Sequence, residues 1–168
     1  PDPALEASLL LNTGSVYQRL GDHERAMEYC KRSLALGRAL ADERHVASTL
    51  TFLGDTAIAL ERLGEGRAYL QEALAISERS GFPDIEVLSL RSLAELARID
   101  AHPEEALTYL LRSLLILRDH PNPIAQQKTE QELGAVYLER GELALASRAL
   151  QRAETLANEI ASPQMQYE

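Results

Sequence analysis

The sequence predicts an all-α chain of four tandem helix-turn-helix units. Three observations carry that prediction. The first is a set of small residues that recurs every 40 positions without a gap. It reads Gly14, Ala26 and Ser33, then Gly54, Gly66 and Ala73, then Ala94, Ala106 and Ser113, then Gly134, Ala146 and Ala153. A fixed period of this size marks a stacked repeat array. The second is the placing of Pro3, Pro83, Pro123 and Pro163, which stand 80, 40 and 40 residues apart. Proline at a first helical position is pre-set in φ and gives up an N–H that has no partner there. Asp2, Asn122 and Ser162 precede three of these prolines, and such residues cap helix starts. The third is composition. Apolar residues make up 45% of the chain but aromatics only 5%, with no Trp. A core of Ala and Leu suits closely packed helices.

The four copies are expected at about 3–42, 43–82, 83–122 and 123–162, with 163–168 opening a fifth. The chain then reads as one array and as a piece of a longer protein cut at a repeat boundary. In copy one, Leu10, Thr13, Gly14 and Tyr17 share a helical face. Gly21 and Asp22 break the run, and Ala26, Tyr29, Cys30, Ser33 and Leu34 form the second face. Two helices of roughly 16 to 18 residues joined by a short turn make an αα-hairpin. In copy two, Glu43 takes the place of the proline. Leu50, Leu53, Gly54 and Ala57 face inward, a second helix starts near Gly64 with Tyr69, Leu70, Ala73 and Leu74 inward, and Ser80–Gly81 end it.

Copy three starts at Pro83, with Leu90, Leu93, Ala94 and Ala97 inward. It turns at Asp100–His102 and starts again at Pro103, with Glu104 and Glu105 in the first turn. Negative charge there suits the positive end of the helix dipole. The second helix is unusually apolar. Leu107 stands where the other copies have Met27, Arg67 and Ser147, and Leu111 where they have Lys31, Gln71 and Gln151. The pair reads either as scattered surface leucine or as a self-association patch. Copy four repeats the pattern through Leu133, Gly134, Tyr137, Gly141, Ala146, Ala149, Leu150 and Ala153. It breaks it twice, with Glu130 where Leu10, Leu50 and Leu90 stand, and Glu154 where Leu34, Leu74 and Leu114 stand. A fully buried lone carboxylate is costly. This copy is therefore either looser, or its glutamates have partners.

These residues resemble the tetratricopeptide repeat (TPR), over essentially the whole chain. Small residues fall at its three sites of close helix approach, and Tyr17 or an equivalent falls on each first helix. The departure is length, 40 residues per copy against about 34. Repeats with such long helices look like those of bacterial signalling and regulatory proteins. The resemblance implies a right-handed α-superhelix of tandem TPR units whose first helices line a concave groove. It places Leu11, Asn12, Ser15 and Arg19 of copy one in that groove, with Thr51, Phe52 and Asp55 of copy two. Arg91, Ser92, Glu95 and Arg98 follow from copy three, and Gln131, Glu132 and Ala135 from copy four. Arg91 and Arg98 lie two turns apart with Glu95 between them. They form either a self-paired surface cluster or a site for a carboxylate or phosphate on a peptide. Phe52 is either an aromatic anchor or a structural residue. Chaperone-binding members of the family hold a terminal carboxylate with Lys, Asn and Arg, whereas the corresponding places here hold Leu11, Ser15, Leu88 and Ser92. A chaperone co-factor is not expected.

Other function classes are disfavoured by the residues themselves. The net charge of −9 opposes nucleic acid and anionic membrane surfaces. No apolar run of about 18 residues is present to span a bilayer. Cys30 cannot form an internal disulfide; as a buried small hydrophobe it fits a reducing, cytoplasmic setting, and a reactive thiol is the alternative. His23, His45, His102 and His120 share no metal-ligand spacing and read as satisfied surface residues at turns and helix ends. Gly64–Glu65–Gly66 lacks the rest of a phosphate loop. No enzyme activity, metal or cofactor is expected. The expected function is a non-catalytic scaffold that binds a protein or peptide segment in its groove, as the sensory part of a larger signalling protein. The alternative is a structural module that binds a second copy of itself.

Overall fold

A computed structural model describes residues 2–161; Ser162, Pro163 and the expected start of a fifth copy lie outside the described residues. The described part holds eight helices: α1 (Pro3–Arg19), α2 (His23–Ala39), α3 (Glu43–Ala59), α4 (Leu63–Ser80), α5 (Pro83–Ile99), α6 (Pro103–Asp119), α7 (Pro123–Glu139) and α8 (Leu143–Ala161). The repeat starts expected at Pro3, Glu43, Pro83 and Pro123 are the starts of α1, α3, α5 and α7. The chain divides into two compact units, 1–96 and 97–168.

The caps explain the helix starts. Asp2 accepts from the Ala4 N–H at 3.0 Å, Asp22 from the Arg25 N–H at 3.2 Å, Asp42 from the His45 N–H at 3.0 Å and Asn122 from the Ala125 N–H at 3.0 Å. Each satisfies one of the N–H groups a helix start leaves without a partner. Asp42 thus does for copy two, which lacks the proline, what Asp2 and Asn122 do before Pro3 and Pro123.

The turns carry a second, shorter period. Left-handed residues fall at Gly21, Ala41, Glu61, Gly81, Ala101 and Gly141, each 20 or 40 positions from the last. The one step without such a residue falls on Pro121, whose ring excludes positive φ. So both helices of each copy have nearly equal length, and the 40-residue repeat is two 20-residue steps. Three of the left-handed sites hold a side chain: Ala41 at φ 53°, Glu61 at φ 58° and Ala101 at φ 59°. An L-residue pays about 1–2 kcal/mol in this region. Glycine removes that cost but loses more freedom on folding. Glu61→Gly is therefore expected to stabilise the chain by about 0.5 kcal/mol. A urea midpoint that moves down instead would refute the strain.

Within unit 1, the core gathers Met27, Cys30, Leu34, Val46, Leu50, Leu53, Ala57, Ala73 and Ile76, with Phe52 and Tyr69 packed against it. The repeated small residues let the helices approach. A Cβ on Gly14 would lie 2.4 Å from Cys30 Sγ, and one on Gly54 would lie 2.5 Å from Leu70 Cγ. The joints between helices are lined by buried hydroxyls. Ser33 Oγ donates to the Ala7 carbonyl at 2.8 Å and accepts from His45 Nε2 at 2.8 Å. Thr51 Oγ1 donates to the Ala47 carbonyl, so Ser89 is the donor in the 2.9 Å contact between α3 and α5. His45 is half-buried in the α2–α3 joint and Gly37 makes room for its ring. His23 is also half-buried, and its Nδ1 has no hydrogen-bond partner. These two histidines are therefore not the satisfied surface residues expected from sequence.

In unit 2, Glu130 resolves an open alternative. It is buried, 3% exposed, and receives Arg152 Nε at 2.7 Å and Nη2 at 2.8 Å. The carboxylate in turn holds the Arg152 guanidinium above its ordinary pKa. Copy four is not loosened at this point; it replaces the usual leucine by a two-pronged ion pair between α7 and α8. Glu154 is exposed, as is Leu150, which the repeat pattern had placed inward.

Candidate functional site

The first helices of unit 1 lie side by side in repeat register. α3 and α5 are joined by the Thr51–Ser89 hydrogen bond and by an ion pair from Arg44 to Asp84. One side of each helix is used up in packing: Ala7, Leu10 and Gly14 on α1, Leu50, Leu53, Gly54 and Ala57 on α3, and Leu90, Leu93 and Ala94 on α5 are all buried. The residues expected in the groove differ in exposure. Asn12, Arg19 and Glu95 are exposed, and Ser15, Phe52, Asp55 and Arg91 are half-buried. Asn12, Phe52 and Ser92 are equivalent positions on successive helices, as are Ser15, Asp55 and Glu95.

Thr51 does not belong to this set. It is buried against Ser89 and serves the joint between helices. Phe52 has a double character, because its ring packs against the unit 1 core while part of it stays accessible. Leu88, exposed one turn before Arg91, adds an apolar position to the same surface. Arg19 occupies the last turn of α1, where a cation suits the helix dipole.

In unit 2, Gln131 is exposed on α7. Arg98 is half-buried and reaches α7, with its Nε 3.0 and 3.2 Å from the two carboxylate oxygens of Glu139. It therefore joins consecutive first helices. A cleft of about 440 Å³ opens beside α7 and α8, with Gln126, Arg148, Gln151 and Arg152 in its lining; Arg152 there is already engaged by Glu130.

The second helices carry a different chemistry. In unit 1, α2 and α4 are bridged by Lys31–Glu65 at 3.1 Å and Arg38–Glu72 at 2.6 Å. Lys31 holds the Glu65 carboxyl below its ordinary range, with help from the Tyr69 hydroxyl, which donates to it at 3.0 Å. Arg62 of α4's cap reaches back to Glu24 at 2.5 Å. Such exposed pairs are each worth about 0–1 kcal/mol, so they fix register more than they add stability. In unit 2, Leu111 is exposed and Leu107 half-buried on α6. Further exposed leucines of this unit include Leu115 on the same helix and Leu138, Leu143, Leu145 and Leu150 on α7 and α8.

Among the described residues no three His, Cys, Asp or Glu side chains group as metal ligands. Cys30 is fully buried, and burial pushes its thiol pKa up to about 12, so it is not a nucleophile at neutral pH. No helix of the described residues is long and apolar enough to cross a membrane.

A family model for the tetratricopeptide repeat matches residues 5–79 and 45–119. Comparison with curated proteins finds no match. Solved structures agree on the fold. BtubC from P. vanneervenii is similar with a TM-score of 0.82 at 21% identity, over 100% of this chain and 68% of that one. Aspartyl phosphate phosphatase F from Bacillus subtilis is similar with a TM-score of 0.89 at 11% identity, over 96% of this chain and 42% of that one. The Rap conjugation gene regulator of plasmid pLS20, solved with the Phr* peptide, is similar with a TM-score of 0.85 at 18% identity. The match covers 96% of this chain and 44% of the regulator, so this chain spans less than half the length of two of these three proteins.

Proposed function

Since this chain belongs to the tetratricopeptide-repeat family, we propose that it is a non-catalytic scaffold that binds a peptide or protein segment along its first helices. The observation that carries this reading is the surface of unit 1 on which Asn12 and Glu95 are exposed and Ser15, Phe52, Asp55 and Arg91 half-buried, while other sides of α1, α3 and α5 are packed. That surface mixes a partly accessible aromatic, an exposed Leu88, and charges of both signs. It suits an extended segment with an apolar anchor flanked by an acidic and a basic residue: Phe52 and Leu88 take the anchor, Arg91 the carboxylate, and Asp55 or Glu95 the cation. The peptide complex of the pLS20 regulator supports the choice of a peptide partner. We further propose that it serves as the regulatory part of a larger signalling protein, a reading that rests on its resemblance to the long-helix repeats of such proteins.

The test uses two substitutions that the chain already accepts elsewhere. Phe52→Asn installs the residue of copy one, Asn12, and Arg91→Gln installs that of copy four, Gln131. Peptides are selected from a random display library on the wild-type chain and titrated calorimetrically. Each variant is expected to weaken the selected peptides by about tenfold or more, the loss of one anchor. Peptides that bind both variants as well as the wild type would move the site away from this surface.

A further inference from the structure

The outer ion pairs of unit 1 have counterparts in unit 2 two copies later, and the residues there are different. A step of 80 positions carries Lys31 and Glu65 to Leu111 and Leu145, and Arg38 and Glu72 to Arg118 and Arg152. An ion pair is thus replaced by two leucines, 48% and 40% exposed. The second pair becomes two arginines, of which Arg152 binds Glu130 and Arg118 binds its neighbour Asp119. Leu115, 55% exposed, adds to the patch where the other copies have Ala35, Ala75 and Thr155.

The stripe on α6 is self-complementary. Leu107 and Leu115 stand four positions either side of Leu111, and Glu104 and Arg118 stand seven either side. Seven residues is close to two helical turns, so all five lie along one side of the helix. The two charged side chains are 75% and 70% exposed; Glu104 lies 3.7 Å from Arg140 and Arg118 3.1 Å from Asp119, exposed contacts weak enough for a pairing across copies to replace. Turning the stripe end for end about Leu111 exchanges the leucines and reverses the charges. Two copies laid antiparallel therefore place Leu111 on Leu111, Leu107 on Leu115, and Glu104 on Arg118 twice. A parallel arrangement would instead set like charges against each other.

We infer that α6 is a two-fold, antiparallel interface between two copies of this chain. The charge reversal along the stripe selects the second copy as the occupant: the chain as a whole carries −9, yet this stripe presents one acid and one base around an apolar centre. A contact of one helix on one helix is smaller than the area of a standard stable interface, so the dimer is weak and its assembly concentration-dependent. The inference does not depend on the peptide-binding surface, which lies on other helices.

Sedimentation equilibrium from about 10 µM to about 1 mM covers the affinities expected of so small a contact. The wild-type mass should rise from the 18.6 kDa monomer towards twice that value. Leu111→Lys, which installs the residue that copy one carries at Lys31, should keep a native circular dichroism spectrum and stay monomeric. A wild type that stays monomeric throughout, or a Leu111→Lys chain that associates as the wild type does, overturns the interface. Orientation has its own readout. Glu104→Arg and Arg118→Glu should each weaken association by about fivefold or more, and together restore it. A double variant no better than the singles overturns the antiparallel pairing. Leu111→Cys should cross-link copy to copy on mild oxidation through the residue on the axis, because the buried Cys30 does not compete.

Discussion

Arg152→Ala is expected to lower the stability of copy four by about 3 kcal/mol, the low end of the range for stripping one partner from a buried ion pair. The low end applies because the two partners differ in environment. The Glu130 side chain is 4% exposed, while that of Arg152 is 52% exposed and half in water already. Removing the guanidinium leaves a carboxylate that has lost its solvent and its counter-charge together. Glu130→Leu makes the opposite change, since it installs the residue that copies one to three carry as Leu10, Leu50 and Leu90. It frees Arg152 into water and buries hydrocarbon in place of charge, so its stability should equal or exceed that of the wild type. The pair is measured by urea unfolding, with amide exchange along α7 and α8 to localise the loss. A repeat array need not unfold in a single step, and exchange reads each hairpin separately. Equal destabilisation by both substitutions would mean that the pair is a net stabilising element, and the buried-charge argument would fail.

The second large effect is expected at Gly54. A Cβ there meets Leu70 Cγ at 2.5 Å and Cδ2 at 2.6 Å, and Leu70 is fully buried. Gly54→Val should therefore cost about 3 kcal/mol, the upper part of the usual range for overpacking. The matching glycine of copy four gives the control. Gly134 faces Leu150 at 2.6 Å, a similar approach, but Leu150 is 40% exposed and its side chain has room to turn away. Gly134→Val should cost about 1 kcal/mol. The comparison holds the local helix chemistry fixed and varies only whether the neighbour is able to yield. Equal losses at the two sites would show that backbone propensity, rather than the close approach, sets the cost.

The fold was legible because its governing residues are small and periodic. Gly14, Gly54, Gly134 and their partners had no reason to recur at one spacing unless two helices met there, and the prolines and cap residues gave the helix starts almost to the residue. What escaped reading was chemistry that composition disguises. Thr49, Thr51, Ser89 and Thr129 are all buried, although hydroxyl residues look like surface in a sequence. Thr51 takes a groove position by its place in the repeat, and only its contact with Ser89 shows that it is buried. A threonine hydroxyl returns to the carbonyl four residues back, as Thr49 does to His45 at 2.8 Å and Thr129 to Ala125 at 2.8 Å, and so can be buried without a further acceptor; exposed Thr108 and Thr155 make the same bond, so the residue type alone does not tell the two apart. The partner of Glu130 was out of reach for another reason. Arg152 lies 22 positions away on the next helix, in a copy where the pattern had already broken twice. Leu145 showed its meaning only against the Lys31–Glu65 pair, which had to be seen before its absence could be read.

The ion pairs that link successive copies join residues 34, 38, 40 and 41 positions apart. Each of these spans is about one repeat. A newly made chain therefore needs only the next 40 or so residues in hand before a hairpin finds the surface that completes it. Closing loops of that size costs little more entropy than closing the hairpin turn itself, since the cost grows only with the logarithm of length. Low contact order of this kind favours fast folding. It also lets folding keep pace with synthesis, one hairpin behind the ribosome, so that little of the Ala- and Leu-rich surface waits uncovered.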